Sequence, residues 1–493
     1  MTRPSLLDAA RLQLVAPALA GLGTAGGEPA GLALDPSQRA VVQRVASASD
    51  RTALLVLGAP GTGKTSTAIE AVAAATESLG LVPADVLVLA ATRRAAADMR
   101  DRLSVRVRRT AGQPMVRTGP SVAFSVLRAR AARLGEPPPT LISGPEQDLL
   151  LGELLAGHAV GDGAPLNWPD TVPPAVLGVR AFRDELRDLL MRAAERGLTP
   201  ADLTALGERA ERPEWVAAAH LYREYLDVTL LRQATPDAGA RFDPAVVVDE
   251  AAEALTAWED EVPGVPRPRW RLVVVDDHQE STAATARLLR VLADDGARLV
   301  LFADPDTAVQ TFRGAAPALV GRATVAGAGL GELGADRLVL STSWRQGAEL
   351  RAVTAAVTQE IGSVGEVRHR RPAPRPGPAT SSAGVPAPAA AGDDLLASSP
   401  GEDLTPIPAR VALLPSPAQE AAYVAHALRA AHLEQGVGWG RMAVIARSGG
   451  QVAGLRRALA TASVPVAVLG SDLPLRDEPA VRPLLLALGC ALR

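Results

Sequence analysis

The sequence predicts an α/β fold: a parallel sheet buried on both faces, a phosphate-binding loop at one end, a helical insertion and a further α/β region. Three observations predict it. Residues 52–57 form a buried-strand pattern, Gly58-Ala59-Pro60-Gly61-Thr62-Gly63-Lys64-Thr65 follows, and residues 66–76 make an alanine-rich helical pattern. Four more apolar runs, 85–91, 271–277, 298–304 and 336–342, each end in a small or acidic residue. Such near-continuous runs suit strands covered by helices on both faces. Finally, of 51 basic residues only Lys64 is lysine, and it lies inside the glycine-rich loop.

The loop is the most specific signal. A strand–loop–helix with this spacing turns backbone amides and a helix N-terminus toward phosphate oxygens. A compact ammonium reaches the β- and γ-phosphates where a planar guanidinium is too bulky, which explains the retained lysine. The Thr65 hydroxyl is suited to Mg²⁺. These residues imply a nucleoside triphosphate site.

Length and composition bound the rest. A chain of 493 residues allows about three domains at ~150 residues each. A net charge of −3 gives no overall attraction to nucleic acid, so such contacts must come from local basic patches. One cysteine and six scattered histidines exclude a disulfide framework and an iron–sulfur or zinc cluster within the chain. The apolar run 12–20 lacks a basic approach and reads as a short helix or arm, not a signal core. No run is long enough to span a membrane. A cytoplasmic protein is expected.

Along the chain, helical periodicity with proline-rich breaks dominates between about 128 and 262, an insertion into the sheet domain. The sheet domain itself is assigned to 1–127 and 263–345. Residues 346–493 begin a second domain, with strand-like runs at 410–415, 442–447 and 465–470. Within it, 370–408 is rich in Pro, Ala and Gly, cannot bury enough to order itself, and is expected to be disordered.

The apolar strand 272–275 delivers Asp276-Asp277-His278-Gln279-Glu280. One carboxylate for Mg²⁺ and a second to orient water is what triphosphate hydrolysis needs. The wide separation of Lys64 from Asp276 excludes small kinases and GTPases. His278 reads as a spacer.

Taken together with further segments, these motifs resemble UvrD/Rep-type superfamily-one DNA helicases. Leu34-Asp-Pro-Ser-Gln38-Arg39 is similar to the family's Q motif, and Thr92-Arg93 to a segment touching single-stranded DNA. Asp276-Asp277-His-Gln279 is similar to its Asp-Glu-x-Gln box, and residues 303–315 to the motif linking γ-phosphate to DNA. Ser343-Trp344-Arg345 and the stretch 439–448 are similar to later segments. The resemblance implies RecA-like domains: a first P-loop NTPase domain with the helical insertion and a partial second one. It implies ATP and Mg²⁺ as cofactors. Gln38, Gly58, Ala59, Pro60, Gly61, Thr62, Gly63, Lys64, Thr65, Ser66 and Arg345 are the expected ATP contacts, with Thr65 and Asp276 holding Mg²⁺. Lys64, Asp277, Gln279 and Arg345 are the expected catalytic groups, and Thr92, Arg93, Ser121, Phe312 and Arg313 the DNA contacts. The arginine-rich composition and the helical insertion are most similar to the AdnA side of the actinobacterial AdnA/AdnB helicase–nuclease. That implies DNA ends as substrate, a second AdnB-like subunit, a role in double-strand break repair, and later motifs beyond residue 493.

The chain departs from the family pattern. Asp277 stands for glutamate, Thr307 for a glutamine that senses the γ-phosphate, Gln310 for tyrosine, and Gly119-Pro120-Ser121 for Phe-His-Ser. Weak hydrolysis with retained binding is therefore expected. A degenerate ATP- and DNA-binding scaffold is the alternative. Phe312 is the stacking candidate. The stretch 93–109, with seven arginines against two aspartates, is expected to track a phosphate backbone.

Overall fold

The computed structural model describes residues 33–48, 52–107, 114–162, 165–233, 239–362, 367–375, 409–467 and 487. The run 12–20 lies outside them. Helix α1 (Pro36–Ala46) starts on a reciprocal cap: Asp35 accepts the Gln38 amide, and the Gln38 side chain accepts the Asp35 amide. Pro36 presets the first helical turn. Then come β1 (Leu54–Leu57), α2 (Lys64–Ser78), β2 (Val86–Leu89), α3 (Arg93–Val107), β3 (Val116–Arg117) and α4 (Gly119–Leu134). A short parallel pair, β4 (Thr140–Leu141) and β5 (Arg241–Phe242), brackets α5 (Gly144–Ala159), α6 (Pro174–Leu177), α7 (Arg180–Glu195), α8 (Pro200–Arg209) and α9 (Pro213–Gln233). The chain returns through α10 (Val247–Thr256), α11 (Trp258–Glu261), β6 (Leu272–Val275), α12 (Ala283–Asp294), β7 (Arg298–Ala303), α13 (Ala318–Arg322) and β8 (Asp336–Val339). β9 (Thr342–Ser343), α14 (Ala348–Glu360) and β10 (Ala373–Pro374) follow, then α15 (Pro417–Gln435) and α16 (Gly449–Thr461).

The main sheet has the order β3-β2-β6-β7-β1-β8, every pairing parallel. Strand side chains alternate between two cores. Leu55, Leu57, Leu87, Leu89, Val273, Val275, Leu299 and Leu301 meet α4, α10 and α12. Leu54, Val56, Val86, Val88, Leu272, Val274, Val300 and Phe302 meet α1, α2 and α3. Each such side chain contributes roughly 1.5–3 kcal/mol by leaving water, so the sheet is the rigid base on which the site is mounted. β2, β6, β7 and β8 stop one to three residues before their apolar runs end, because the residues beyond them leave the ladder to build the site. Parallel strands bring all these ends to one edge.

The insertion has its own core, built from α5 to α9 around Leu151, Leu155, Leu190 and Tyr225. Its packed body is narrower than the stretch 128–262. Position 128 falls inside α4, whose Val122, Val126 and Leu127 cover the sheet, and α10 and Trp258 return to that same core. The sheet needs those apolar faces, so both helices stay with it.

A second compact unit begins at Pro408, with α15 and α16 packed through Ala425, Leu459 and Val464. The expected strands 410–415 and 442–447 are not strands: Val411, Leu413 and Ile445 are 93%, 94% and 95% exposed. A strand exists only when a neighbour completes its ladder, and among the described residues none pairs with either run. Of the run 465–470, residues 465–467 are described and form no strand. The expected disordered stretch also starts too early. Residues 370–375 are ordered, with Arg370 ion-paired to Asp306 and β10 paired to β9, because tertiary partners compensate for a composition that cannot order itself. The remainder, 376–408, lies outside the described residues.

Candidate nucleotide and nucleic-acid site

The loop from β1 to α2 needs its glycines for backbone reasons. Gly61 and Gly63 have φ of 83° and 84°, a left-handed conformation that costs other residues energy. The Gly58 amide donates to Ala303 at the end of β7, and the Thr62 hydroxyl donates to the Ala59 carbonyl. Lys64 Nζ folds back over the loop, 2.7 Å from Gly58 O and 3.4 Å from Ala59 O. The first turn of α2 leaves amides without intrahelical acceptors, as an anion site requires.

Two expected residues close on this loop from elsewhere. Gln38 is buried and donates through Nε2 to Thr62 O at 3.2 Å, while its Oε1 caps α1. The Trp344 amide donates to Gly61 O at 2.9 Å, and its indole donates to Asp35 at 3.2 Å. Arg345 is exposed and its Cβ lies 3.0 Å from where a Gly61 Cβ would stand. Burial pushes the Asp35 carboxyl up, but bonds from Ser37, Gln38 and Trp344 outweigh it and leave the pKa below the ordinary value. Trp344, which the sequence offered only as the middle of the Ser343-Trp344-Arg345 segment, is a strut joining the loop, the cap and Arg345. Ser66 Oγ accepts from the Arg102 guanidinium of α3 at 3.0 Å.

The box after β6 meets the loop directly. Thr65 Oγ1 donates to Asp276 Oδ2 at 2.9 Å across 211 residues of chain. Asp276 Oδ1 is buried without a hydrogen-bond partner among the described residues. An orphaned carboxylate oxygen beside a threonine hydroxyl fits Mg²⁺. Burial and the neighbouring charge of Asp277 raise the Asp276 pKa to about 6, against the Thr65 bond that lowers it. Asp277 has φ 56°, a conformation that aspartate tolerates better than most side chains. Gln279 is buried and used at both ends: Nε2 donates to Asp277 Oδ1 at 3.0 Å, and Oε1 accepts the Asp304 amide at 2.9 Å. It thus orients Asp277 and ties β6 to β7. His278 is fully buried with its pKa lowered to about 4 by desolvation, and its Nδ1 lies 3.0 Å from Ser281 Oγ.

Next along the edge lie the expected DNA contacts. Thr92, Arg93, Ser121, Phe312 and Arg313 are all exposed. Phe312 is 68% exposed, with the Arg313 guanidinium 5.4 Å from its ring centre. Glu280 grips this loop by accepting the Val309 and Gln310 amides at 2.8 and 2.9 Å. The arginine stretch divides. Arg100 donates to Val116 O, Arg102 to Ser66, and Arg106 to Glu70 and Glu77. Only Arg93 and Arg94, at the start of α3, stay exposed without a side-chain partner of this kind, while Arg108 and Arg109 lie outside the described residues. A helix turns its side chains through all directions, so a charge run in sequence is not a patch in space.

One buried cluster was illegible in sequence. Asp304, fully buried at the end of β7, has Oδ2 3.8 Å from Lys64 Nζ. His369 Nε2 lies 3.6 Å from Asp304 Oδ1 and 3.1 Å from Asp306 Oδ2. Arg370 makes two bonds to Asp306, at 2.6 and 2.8 Å. The three side chains Asp304, Asp306 and His369 are grouped closely enough for a cation, but Lys64 and Arg370 already supply two positive charges against the two carboxylates. No sequence spacing announces contacts across 63 residues.

Sheet order, loop and box define a P-loop α/β domain of the kind seen in helicase motors. The UvrD/REP helicase N-terminal domain matches residues 37–324, and the chain belongs to that family. It is 25% identical over 279 residues to DNA helicase II of Escherichia coli (strain K12), covering 55% of this chain and 34% of the relative. It is 23% identical over 291 residues to ATP-dependent DNA helicase Rep of the same strain, covering 58% and 38%. The chain therefore spans about a third of the length of these relatives. Among the described residues, no helix is long and apolar enough to cross a membrane.

Proposed function

We propose that this chain binds ATP–Mg²⁺ and serves as the nucleotide-driven part of a cytoplasmic DNA translocase of the UvrD/Rep type, moving 3′→5′ on single strands. The Thr65–Asp276 contact carries this reading: two distant motifs converge beneath the loop that holds Lys64. In this reading Lys64 and Arg345 face the terminal phosphate, Thr65 and Asp276 hold magnesium, and Asp277 orients water. Gln279 acts one step back, by fixing Asp277. Magnesium, when bound, supplies charge neutralisation on the phosphates. Glu280 links this machinery to the loop bearing Phe312, so that a change at the phosphates is felt at the stacking surface.

The finer assignment is to an AdnA-like subunit working with an AdnB-like partner on DNA ends in double-strand break repair, supported by the single lysine and the helical insertion. A degenerate scaffold is the second reading. It is favoured by Thr307, whose hydroxyl is turned back to Asp304 O at 3.0 Å where a longer amide reaches outward. ATP turnover with and without oligo-dT, in wild type and Lys64→Ala, tests both. Turnover that is stimulated by DNA and lost in the variant supports the motor, whereas ATP binding without turnover supports the scaffold.

A further inference from the structure

We propose that His369 is a positioning residue for Lys64, acting through Asp304, and that residues 368–370 belong to the nucleotide site. The inference rests on the reading of Lys64 as a phosphate ligand. Four observations carry it. Asp304 is 0% exposed, and its Oδ2, the atom nearest Lys64 Nζ, has no hydrogen-bond partner among the described residues. A carboxylate in that condition is costly unless a positive charge stands close by. The second oxygen, Oδ1, accepts the Asp306 amide at 3.2 Å and lies 3.6 Å from His369 Nε2, and the His369 ring is 2% exposed. Its contacts are therefore internal. Finally, Asp306 takes His369 on one oxygen and the Arg370 fork on both. That pair pins the short segment after α14 against the end of β7.

The consequence is a chain of contacts from Arg370 to Asp306 to His369 to Asp304 to Lys64, all in one compact unit. The lysine ammonium sits between two kinds of acceptor: the Gly58 and Ala59 carbonyls on one side and the Asp304 carboxylate on the other. His369 and the Asp306 amide flank Oδ1, together set the orientation of that carboxylate, and so set where the ammonium rests relative to the loop. Lysine is a flexible point charge. Without Asp304 held in place its four-carbon stem samples positions away from the phosphates. Loss of His369 is thus felt most by a ligand that uses Lys64 most, one with a γ-phosphate.

Binding of a fluorescent non-hydrolysable ATP analogue and of ADP, each with Mg²⁺, to the 493-residue chain tests this. A misplaced bond to a charged group is worth about tenfold in affinity, so His369→Ala should weaken the ATP analogue by about tenfold and ADP by less than about threefold. His369→Gln, which places an amide donor near the former Nε2, should restore the ATP preference. Asp306→Asn should show the same selective loss, and its melting temperature, measured alongside, separates that loss from general destabilisation if His369→Ala folds poorly. Equal losses for both nucleotides, or none, overturn the proposal. Lys64→Ala run in parallel separates the two levels. If it leaves ATP binding intact, the proposed nucleotide site itself fails, and this inference with it. If it abolishes ATP preference while His369→Ala and Asp306→Asn do not, only this inference fails.

Discussion

Two stretches of the same sheet edge are built on opposite principles. Around Lys64 the polar side chains are held from several segments: Gln38, Thr62, Trp344 and Gln279 all hydrogen-bond within the site, and single carboxylate oxygens of Asp276 and Asp304 are left without such a partner among the described residues. Around Phe312 the groups expected to meet DNA are exposed, and only the backbone beneath them is held, by Glu280. The difference follows from the ligands. A triphosphate is small, highly charged and always the same shape, so preorganised backbone and a single ammonium suffice. A nucleic-acid strand is long and variable, so it is met by exposed rings and charges on a rigid base.

Substitutions can break this contrast, beginning with the largest effect. Lys64→Ala should cost roughly 3 kcal/mol or more of ATP-analogue affinity, on the scale of removing one member of a buried charge pair, with DNA binding retained. Equilibrium binding of each ligand to the variant measures both. Phe312→Ala should do the reverse: a loss of about 1–3 kcal/mol in oligo-dT affinity for one stacked base and unchanged nucleotide binding. If both ligands weaken together, the two stretches are not separable. Thr307→Gln should raise ATP turnover several-fold, since one positioned polar contact is worth roughly 1–3 kcal/mol. No gain would sink the explanation of weak hydrolysis by that residue.

The smallest effect is in pH dependence and sharpens the comparison within the phosphate side. Desolvation lowers the folded pKa of His278 to about 4, against an ordinary value of 6.5. The unfolded chain therefore binds its proton first, and stability falls as pH drops from about 6.5 through 4. Asp276 works the other way: its folded pKa of about 6 exceeds 3.8, so acidification over the same window relieves its penalty. Urea midpoints at pH 5 and 7 in magnesium-free buffer should diverge in opposite directions for His278→Asn and Asp276→Asn. Parallel shifts would contradict the assignment of these two buried groups.

Legibility in the sequence followed the range of the interactions. Strands β1, β2, β6, β7 and β8 are local apolar runs, and each was anticipated with ends correct to a few residues. The loop and the box are contiguous motifs, and Thr65 hydrogen-bonds Asp276 between them. Arg370 fell in the expected disordered stretch and His369 just before it drew no reading, because a segment's composition does not reveal a carboxylate waiting for it 63 residues away. The arginine stretch of α3 misled in the same way, since helical rotation and neighbouring α2 decide which guanidinium groups stay exposed. The runs 410–415 and 442–447 have strand-like composition, but composition cannot supply a hydrogen-bonded neighbour.

By itself the sequence determined a parallel α/β sheet, the phosphate loop, its lone lysine and the acidic box, because hydrophobic period, glycine conformation and spacing along the chain act over a few residues. Only the tertiary structure decided that Gln279 serves Asp277, that Trp344 braces the loop, and that His369 stands behind Asp304. Those contacts depend on burial and orientation at the junction of distant segments, where the energy of a polar group is set by what surrounds it rather than by what precedes it in the chain.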